Sequence, residues 1–464
     1  MSSSPADPTY TRNLGNGLLC RWSTAEDAAK IAHCFATVHR PNADAPLTPR
    51  EADVIRIMMA PGFPFMDAGD FAIVEDVSQP DHPVVACTCY WRHTWSYAGI
   101  RFGVGRPEMV ATLPEYRNRG LVRALFEMVH ARSDANGDLV QAITGIAYFY
   151  RQFGYEYVLD LEGKRYVSLA VIPELAQDVS EPYTLRLATL DDTPHLTALY
   201  DQGRNCSLVW HEADADFWRA HLASWDDPAV QGKDSTQTAL YSRLYMIVDA
   251  EGAVCGYVLP AMRRRGKAAW VFALELYPHV SWLAAMPSLL RALRTHGEQI
   301  PAVTPDAGAV RELCFMLGRA HPAYTAMGET IAARYEPPYA WYLRVPDLPR
   351  FLRHIAPVLE QRLAGSIMPG HSGELMIELY RSRLKLVFER GRLTSIEPAA
   401  VLAYSDDPPA GFPPLIFLQL IFGYRSLAQL RATYPDVYAE PEAAVLLNIL
   451  FPEMPSRVDN LAYV

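Results

Sequence analysis

The stretch ATLPEYRNRGLVRALFEMVHARSD, residues 111–134, decides the fold of this chain. It begins within an apolar and small-residue run, Met109 to Leu113, that is typical of a buried strand. Apolar residues then recur at helical spacing, at Leu121, Leu125, Met128 and Val129. Arg117, Arg119 and Gly120 lie between the two patterns. The chain therefore passes from a strand to a helix through two arginines and a glycine.

The bulk composition predicts a multidomain globular protein. The chain has 464 residues, of which 50% are hydrophobic and 20% are charged, and its formal net charge is −10. This length indicates about three domains. A net negative charge gives no general affinity for nucleic acid or for anionic membranes, so we expect neither as a partner. The basic cluster at 117–123 is an exception to this balance.

The cysteines and the terminal segments indicate a reducing, cytoplasmic compartment. The seven cysteines are spread along the chain. Cys87 and Cys89 are two residues apart in an apolar run, which predicts thiols on one side of a strand. We interpret both as small buried side chains rather than metal ligands, because no second cysteine pair or histidine spacing accompanies them. The opening MSSSPADPTYT has no signal-peptide pattern, and PPLIFLQLIFGY (413–424) is too short to span a bilayer.

The sequence contains a weak internal repeat. Residues 21–31, RWSTAEDAAKI, resemble residues 186–196, RLATLDDTPHL, in an arginine, a threonine and two successive acidic residues that begin a helix. Each copy is followed by a strand–turn–strand pattern, at 71–91 and at 244–260. The order of elements predicts two copies of a mixed α/β (α+β) unit rather than an all-parallel sheet.

Two segments that contain prolines, 172–183 and 336–349, mark the predicted boundaries. They divide the chain into domains at 1–168, 180–338 and 343–464. In the third domain the pattern predicts an amphipathic helix at 348–363 that breaks at Pro357, then strands across 373–398, then helices around 413–433 and 440–450. This is a compact α+β domain without a chemical motif.

The junction at 117–123 has the chemistry of a phosphate site. The first-turn N–H groups of a helix have no intrahelical partner, and the helix dipole adds partial positive charge there. Gly120 allows a ligand to approach the backbone closely. Arg117, Arg119 and Arg123 add full positive charges at the end of a helix where cations are unfavourable. An anionic ligand would explain them better than a solvated first turn.

The pattern Arg117-Asn118-Arg119-Gly120-Leu121-Val122, after a strand and at the start of a helix, resembles the pyrophosphate-binding signature of the GNAT superfamily of N-acetyltransferases. Val122 stands where that family has glycine or alanine. The resemblance implies acetyl-coenzyme A (acetyl-CoA) as the cosubstrate and no metal. It also implies that the backbone of Val110, Ala111 and Thr112 binds the pantetheine arm. The similar RRRG at 263–266 has no helix directly after it and is interpreted as a basic turn.

The combination of LPEYRNRGL (113–121), FYRQFGY (149–155), a second degenerate unit and a third domain resembles the enhanced intracellular survival (Eis) family. The resemblance implies two tandem GNAT-like mixed-sheet units followed by a sterol-carrier-protein-like α+β domain. It implies that only the first unit binds acetyl-CoA, because the matching helix start in the second unit lacks the arginines and the glycine. It further implies a homo-oligomer, commonly a hexamer.

The same resemblance implies roles for single residues. Tyr150 matches the general acid, and Gly145 and Ile146 match cofactor contacts. The general base of the family is the carboxylate of the last residue, here Val464, although relatives end in an aromatic residue. Substitutes that the sequence offers are Glu108, Asp459, His33 and His39.

The expected reaction is acetyl transfer to a primary amine, either a small polyamine, an aminoglycoside-like molecule or a lysine side chain. The acidic chain would favour a cationic acceptor. Trp91 and Trp95, in the aromatic run 90–97, either line the acceptor site or lie in the core. Two alternatives remain open: a longer acyl chain as the donor group, and a non-catalytic acyl-CoA or lipid-binding protein with a vestigial site.

Overall fold

Strand pairing in the computed structural model arranges the described residues into three sheets. The structure describes residues 4–40, 42, 44–45, 47, 49–228, 230–264, 266–304, 307–400 and 408–458. The strands of the first half are β1 (Thr11–Gly15), β2 (Leu18–Trp22), β3 (Phe71–Asp76), β4 (Val84–Tyr97), β5 (Ile100–Thr112), β6 (Val140–Ile143), β7 (Glu156–Leu161), β8 (Lys164–Ser168), β9 (Tyr183–Leu187) and β10 (Val209–His211). Those of the second half are β11 (Tyr245–Asp249), β12 (Val254–Pro260), β13 (Ala268–Leu276), β14 (Glu312–Phe315), β15 (Arg334–Glu336), β16 (Tyr339–Arg344), β17 (Gly373–Glu378), β18 (Arg383–Glu389), β19 (Arg392–Ala399), β20 (Ala410–Gly411) and β21 (Tyr438–Ala439).

Helices cover the faces of these sheets. They are α1 (Ala28–His39), α2 (Pro49–Met58), α3 (Leu121–Asn136), α4 (Thr193–Gln202), α5 (Ala215–Ala223), α6 (Trp282–Gln299), α7 (Pro322–Ile331), α8 (Leu348–Ala364), α9 (Ile416–Ile421), α10 (Leu427–Thr433) and α11 (Pro441–Leu450). None of the helices among the residues described is both long and apolar enough to cross a membrane. The prediction of mixed-sheet tandem units followed by a further α+β unit is confirmed.

The two repeat segments begin their units in the same way. Arg21 donates two hydrogen bonds to Asp27, and Asp27 caps a helical turn together with Thr24. Arg186 and Asp192 repeat this arrangement at the start of the second unit. Burial alone would raise the pKa of Asp27, but the hydrogen bonds from Arg21 and the Thr24 backbone outweigh it and lower the pKa.

The sheets do not follow the chain order. The first sheet runs β1-β2-β3-β4-β5-β6-β16-β7, with β10 paired to β4. The second runs β15-β8-β14-β13-β12-β11-β9, and the third β19-β18-β17-β20-β21. The first sheet therefore takes β16 from beyond the second unit, while β8 lies within the second sheet. We call this arrangement the strand exchange. The sheets do not follow the predicted domain boundaries. Lys164–Ser168, predicted to end the first domain, forms β8 of the second sheet, and the predicted linker 336–349 contains β16 of the first sheet.

One predicted detail of the third domain was wrong. The helix α8 continues through Pro357, which lies inside Leu348–Ala364. Its buried face includes Ile355, Val358 and Leu359, so packing on the third sheet outweighs the local cost of the proline. The RRRG segment, predicted to be a basic turn, is followed by β13 and not by a helix; within it Arg263 is 1% exposed and donates to the carbonyl oxygens of Thr238 and Leu240.

The crossing between the two sheets gives a first testable prediction. Gly163 joins β7 to β8 with φ of 101°, and a Cβ there would lie 3.0 Å from both the Gly318 backbone and the Pro338 ring. Gly163→Ala combines left-handed strain with a clash, and we expect it to lower the free energy of unfolding by about 3 kcal/mol. Gly252→Ala is the matched control, since its φ is 84° and a Cβ would meet nothing within 4 Å. The control should lose only about 1 kcal/mol. Equal losses in denaturant titrations would contradict the close crossing.

Candidate active site

The loop between β5 and α3 has the conformation expected of a phosphate-binding junction. The Tyr116 hydroxyl donates to Asp76 at 2.7 Å and anchors the loop at one end. Asn118 and Gly120 have positive φ, 62° and 73°, and the helix begins at Leu121 with Gly120 as its N-cap. A Cβ on Gly120 would meet nothing within 4 Å. The space above the helix N-terminus is therefore open to a ligand.

The three predicted arginines surround this opening and are exposed. Arg117 donates to the Thr112 carbonyl at 3.3 Å, Arg119 to the Glu115 carbonyl at 2.8 Å, and Arg123 to the Gln152 side chain at 3.3 Å. Across the residues that the structure describes, none of the three forms an ion pair with a carboxylate. Positive charge is thus concentrated where the first-turn amides already attract anions.

A gap between two strands leads from this loop towards the interior. β5 pairs with β6 only at Val104 and Gly105, opposite Val140 and Gln141, whereas the other edge of β6 stays paired with β16 as far as Ile143. A bulge opposite Cys87–Cys89, with φ of 55° at Met109, bends β5 away. The segment Val110–Thr112 follows this bulge, in the part of β5 that is no longer paired with β6.

The predicted backbone contacts at the end of β5 differ in exposure. Val110 and Thr112 are half-buried and Ala111 is buried. The Thr112 hydroxyl is buried and has no hydrogen-bond partner among the described residues. The Val110 carbonyl accepts from the exposed His39 side chain at 3.3 Å. At the helix start, Leu121 is buried and Val122 is half-buried.

Tyr150 lies on the opposite side of the gap, in a helical turn that spans Phe149–Phe153. It is 3% exposed, and its ring stacks on Phe126 with centroids 5.8 Å apart. Burial, with a smaller contribution from the charge of Glu108, raises the pKa of Tyr150 above its usual range. The phenol therefore stays protonated at neutral pH. A Cβ on Gly145 would lie 3.7 Å from its hydroxyl, so the two predicted site residues are neighbours.

A tyrosine cluster holds the loop that carries Gly145 and Ile146. Tyr339 donates to the Gly145 carbonyl at 3.2 Å, and Tyr342 donates to the Ile146 carbonyl at 3.1 Å. The Tyr157 hydroxyl oxygen lies 2.8 Å from that of Tyr339 and 2.5 Å from that of Tyr342, so the three phenols share one hydrogen-bond network. The Ile146 side chain itself is 63% exposed. Tyr339 and Tyr342 belong to β16, so the strand exchange supplies two of the tyrosines that hold this loop.

A buried polar chain runs beneath the gap. Glu108 accepts from Arg106 at 2.5 Å, and Arg106 also donates to His93 Nε2 at 3.5 Å. His93 Nδ1 lies 3.1 Å from His211 Nε2, which β10 of the second unit supplies. Burial, and then the neighbouring charges of Arg106 and His211, lowers the pKa of His93 well below its usual range. Neither Arg106 nor His211 is among the site residues predicted from the sequence, so this network is an addition to the predicted site.

Of the other predicted residues, most lie away from the opening or outside the described residues. His33 is exposed on α1. Trp91 and Trp95 are both buried in the core, at 1% and 0% exposed, which favours the core interpretation over an acceptor-site wall. Asp459 and Val464 lie outside the described residues, whose last member is Val458. The Val458 carbonyl accepts from Trp341 Nε1 at 3.2 Å, and the Trp341 ring lies 4.6 Å from the Arg106 guanidinium.

The corresponding helix start in the second unit is built differently. α6 begins at Trp282, and its N-cap Ser281 accepts a hydrogen bond from the Ala284 N–H. The serine side chain thus already accepts a hydrogen bond from an N–H group that a phosphate would otherwise bind. That only the first unit binds acetyl-CoA stays a prediction.

Comparison with known proteins identifies the first unit. Residues 24–158 match the family model described as Acetyltransferase (GNAT) domain. This stretch is a GNAT acetyltransferase domain. The match includes the loop at 117–123, the end of β5 and Tyr150. Comparison with curated proteins finds no relative at a significant level of sequence similarity.

Solved structures share the fold of the GNAT domain and of nearly the whole chain. A probable N-acyltransferase of unknown function from Enterococcus faecalis has a TM-score of 0.64 at 13% identity, covering 96% of this chain and 99% of that one. A GCN5-related N-acetyltransferase from Kribbella flavida has a TM-score of 0.61 at 19% identity, covering 96% and 98%. Eis1 from Mycobacterium abscessus has a TM-score of 0.53 at 14% identity, covering 94% and 98%.

Proposed function

We propose that this protein transfers the acetyl group of acetyl-CoA to a primary amine. The observation that carries the proposal is the arginine-rich loop at 117–123, which opens a helix beside the gap between β5 and β6 in a GNAT domain. The open space above Gly120 and the unpartnered Thr112 hydroxyl both fit a ligand that enters from this side.

Different groups of residues would bind different parts of acetyl-CoA. Arg117, Arg119 and Arg123 supply charge for the pyrophosphate, together with the amides that follow Asn118 and Gly120. The backbone of Val110–Thr112 offers hydrogen bonds to the pantetheine arm. These placements keep the thioester, which is the reactive group that acetyl-CoA supplies, close to the gap that Tyr150 faces.

Tyr150 fits the role of general acid. Its raised pKa keeps the proton on the phenol, and a leaving thiolate of comparable basicity can take it. The tyrosine cluster and the Phe126 stack fix its position.

For the general base, we favour the terminal carboxylate of Val464. Val458 is bound to Trp341, whose ring covers Arg106, and six residues can reach about 20 Å from there. Glu108 is less suited, because its ion pair with Arg106 stabilises the carboxylate and weakens it as a base. His39 binds the Val110 carbonyl and is the next alternative.

The direct test is release of free thiol from acetyl-CoA with a panel of amines. We expect release only when a primary amine is present, faster with a polyamine than with a neutral amine of the same size, and slower at high salt because the acceptor is cationic. Binding of acetyl-CoA without thiol release from any amine would favour the non-catalytic alternative. Preference for neutral amines with no effect of salt would overturn the proposed acceptor class.

Two further expectations from the family resemblance stay proposals. We infer assembly into a homo-oligomer, with a hexamer as the expected form, which light scattering can measure directly. The third unit, built on β17–β21 and α8–α11, would be the part that resembles sterol carrier proteins.

A further inference from the structure

A cavity of about 820 Å³ lies between the first and second units, and we call it the inter-unit cavity. Its described lining contains no residue of the arginine-rich loop at 117–123. A volume of this size is in the range of sites that bind small organic molecules. The walls come from Arg50 and Val54 of α2, residues 160–162 at the end of β7, the strand β13, the loop 316–322 and the tail at 455–458.

In the second unit the cavity follows from the separation of two parallel strands. β13 and β14 pair at Ala268–Val271 with Glu312–Phe315, and β13 then continues to Leu276 without β14. The part of β13 after Val271 and the loop 316–322 both line the cavity. The opening is therefore built into the sheet, and no single side chain determines it.

The tail on one side of the cavity is held in place by the second unit. The Leu208 N–H donates to the Pro455 carbonyl at 2.9 Å. Two residues further along the tail, the Arg457 N–H donates to the Ser207 hydroxyl at 2.7 Å. This wall is thus formed before any ligand binds, so that ordering it adds little to the cost of binding.

Aromatic rings form much of the wall. Trp270 and Phe272 are two residues apart on β13, which places them on the same face of the strand. The Phe272 ring centroid lies 5.4 Å from that of Tyr241 and 6.2 Å from that of Trp270. Trp282 adds a fourth ring to the lining, and all four residues are only half-buried. Such a surface favours a ligand with a flat, apolar ring.

Several charged side chains of the lining are paired with one another. Asp160 accepts two hydrogen bonds from Arg319, at 2.8 and 2.9 Å. Glu275 lies 2.8 Å from Arg457 and 3.5 Å from His321 Nε2. The charges within each of these groups compensate one another, so neither group attracts a ligand of one sign.

The other charged residues of the described lining also have partners. Glu162 forms an ion pair with Lys164 at 3.3 Å. Arg263 is 1% exposed and donates to backbone carbonyl oxygens within residues 235–240. Arg50 on α2 interacts with a partner of its own. A charged ligand would therefore lose its hydration without gaining a free counter-charge, whereas an uncharged ligand avoids this cost.

We propose that the inter-unit cavity binds a small, uncharged molecule with a flat ring, which packs against the aromatic wall. Gln202 and Ser456, uncharged polar residues of the same lining, can hydrogen-bond to a hydroxyl or carbonyl group on it. This ligand is distinct from acetyl-CoA and from the amine acceptor, and the proposal does not depend on the reaction of the first unit.

The test is calorimetry on the full chain with 3-phenylpropan-1-ol and two charged analogues of nearly the same shape, 3-phenylpropionate and 3-phenylpropan-1-amine. We expect saturable 1:1 binding of the alcohol. Both charged analogues should bind at least about tenfold more weakly, because each loses hydration without a free partner in the lining. Hexan-1-ol, a flexible alcohol of similar hydrophobicity, should bind about threefold more weakly or worse, because it has no ring to pack on the aromatic wall.

Ala320→Trp provides the site-specific arm, because Ala320 is an exposed residue of the lining and a large side chain there would obstruct the cavity. Ala253→Trp, at an exposed position outside the lining, is the matched control. Loss of 3-phenylpropan-1-ol binding only in the first variant supports the proposal.

Four results would overturn the proposal. They are no saturable binding of 3-phenylpropan-1-ol at millimolar concentration, equal or tighter binding of either charged analogue, equal or tighter binding of hexan-1-ol, and binding that survives Ala320→Trp. The comparison of probes on the unsubstituted chain stands even if a variant fails to fold.

Discussion

Acetyl-CoA binding is expected to weaken at least about 100-fold in the double variant Arg117→Ala, Gly120→Asp, as measured by isothermal titration calorimetry. In the proposed site, removing Arg117 deletes one charge-assisted contact to phosphate. Aspartate at 120 places a negative charge at the helix N-terminus, in the space where a Cβ meets nothing within 4 Å. The two changes act on the same anion, so their combined effect is larger than either alone.

Gly99→Asp is the control for the glycine substitution. Gly99 also has a positive φ, 87°, and open space around its Cβ, but it lies in the turn between β4 and β5. It should suffer the same backbone strain and keep its affinity. If the double variant binds acetyl-CoA as tightly as the unsubstituted chain, the arginine-rich loop is not the phosphate site and the cosubstrate must be sought elsewhere.

The second large effect is expected from Tyr150→Phe, which should lower kcat about 100-fold to 10,000-fold while acetyl-CoA binding is unchanged. The substitution keeps the ring that stacks on Phe126 and removes only the hydroxyl. Tyr155→Phe is the matched control, because Tyr155 is fully buried nearby and its hydroxyl contacts His130 at 2.8 Å. It should cost about 1 kcal/mol of stability and leave kcat nearly intact.

The pH profile gives an independent check on Tyr150. A general acid works while it is protonated, and its contribution is lost as pH rises through its pKa. Burial and the charge of Glu108 raise the pKa of Tyr150, so this loss should lie above the ordinary value of about 10. A fall in kcat that is half complete at or below about pH 10, and that is absent in Tyr150→Phe, would show that the pKa of the phenol is not raised and would contradict the buried geometry.

Local patterns made much of the first unit predictable. The helix at 121–136 follows from the apolar spacing of Leu121 and Leu125, and the threonine–aspartate caps of both units follow from residues three apart. These features depend on neighbours in the sequence, so one chain is enough to recognise them. The roles of Arg117, Gly120 and Tyr150 remain predictions that rest on the family resemblance together with their observed surroundings.

Contacts made over long sequence distances were not predictable in the same way. The aromatic-rich segment Tyr339-Ala340-Trp341-Tyr342 is typical of a strand, but the prolines on both sides of it led to the prediction of a linker. His211, at the end of a strand of three residues, gives no local signal that it pairs with His93. Which sheet a short strand joins is decided by tertiary packing, and no local periodicity encodes it.

The strand exchange constrains how this protein is made and which parts of it can be removed. A ribosome must release the chain through Arg344 before the first sheet can place β16 between β6 and β7. Until then, the nascent first unit carries open strand edges that invite wrong pairing. For the same reason a gene encoding only residues 1–168 would yield an incomplete sheet. Deletion of either segment would therefore leave one sheet incomplete, since β16 lies within the first sheet and β8 within the second.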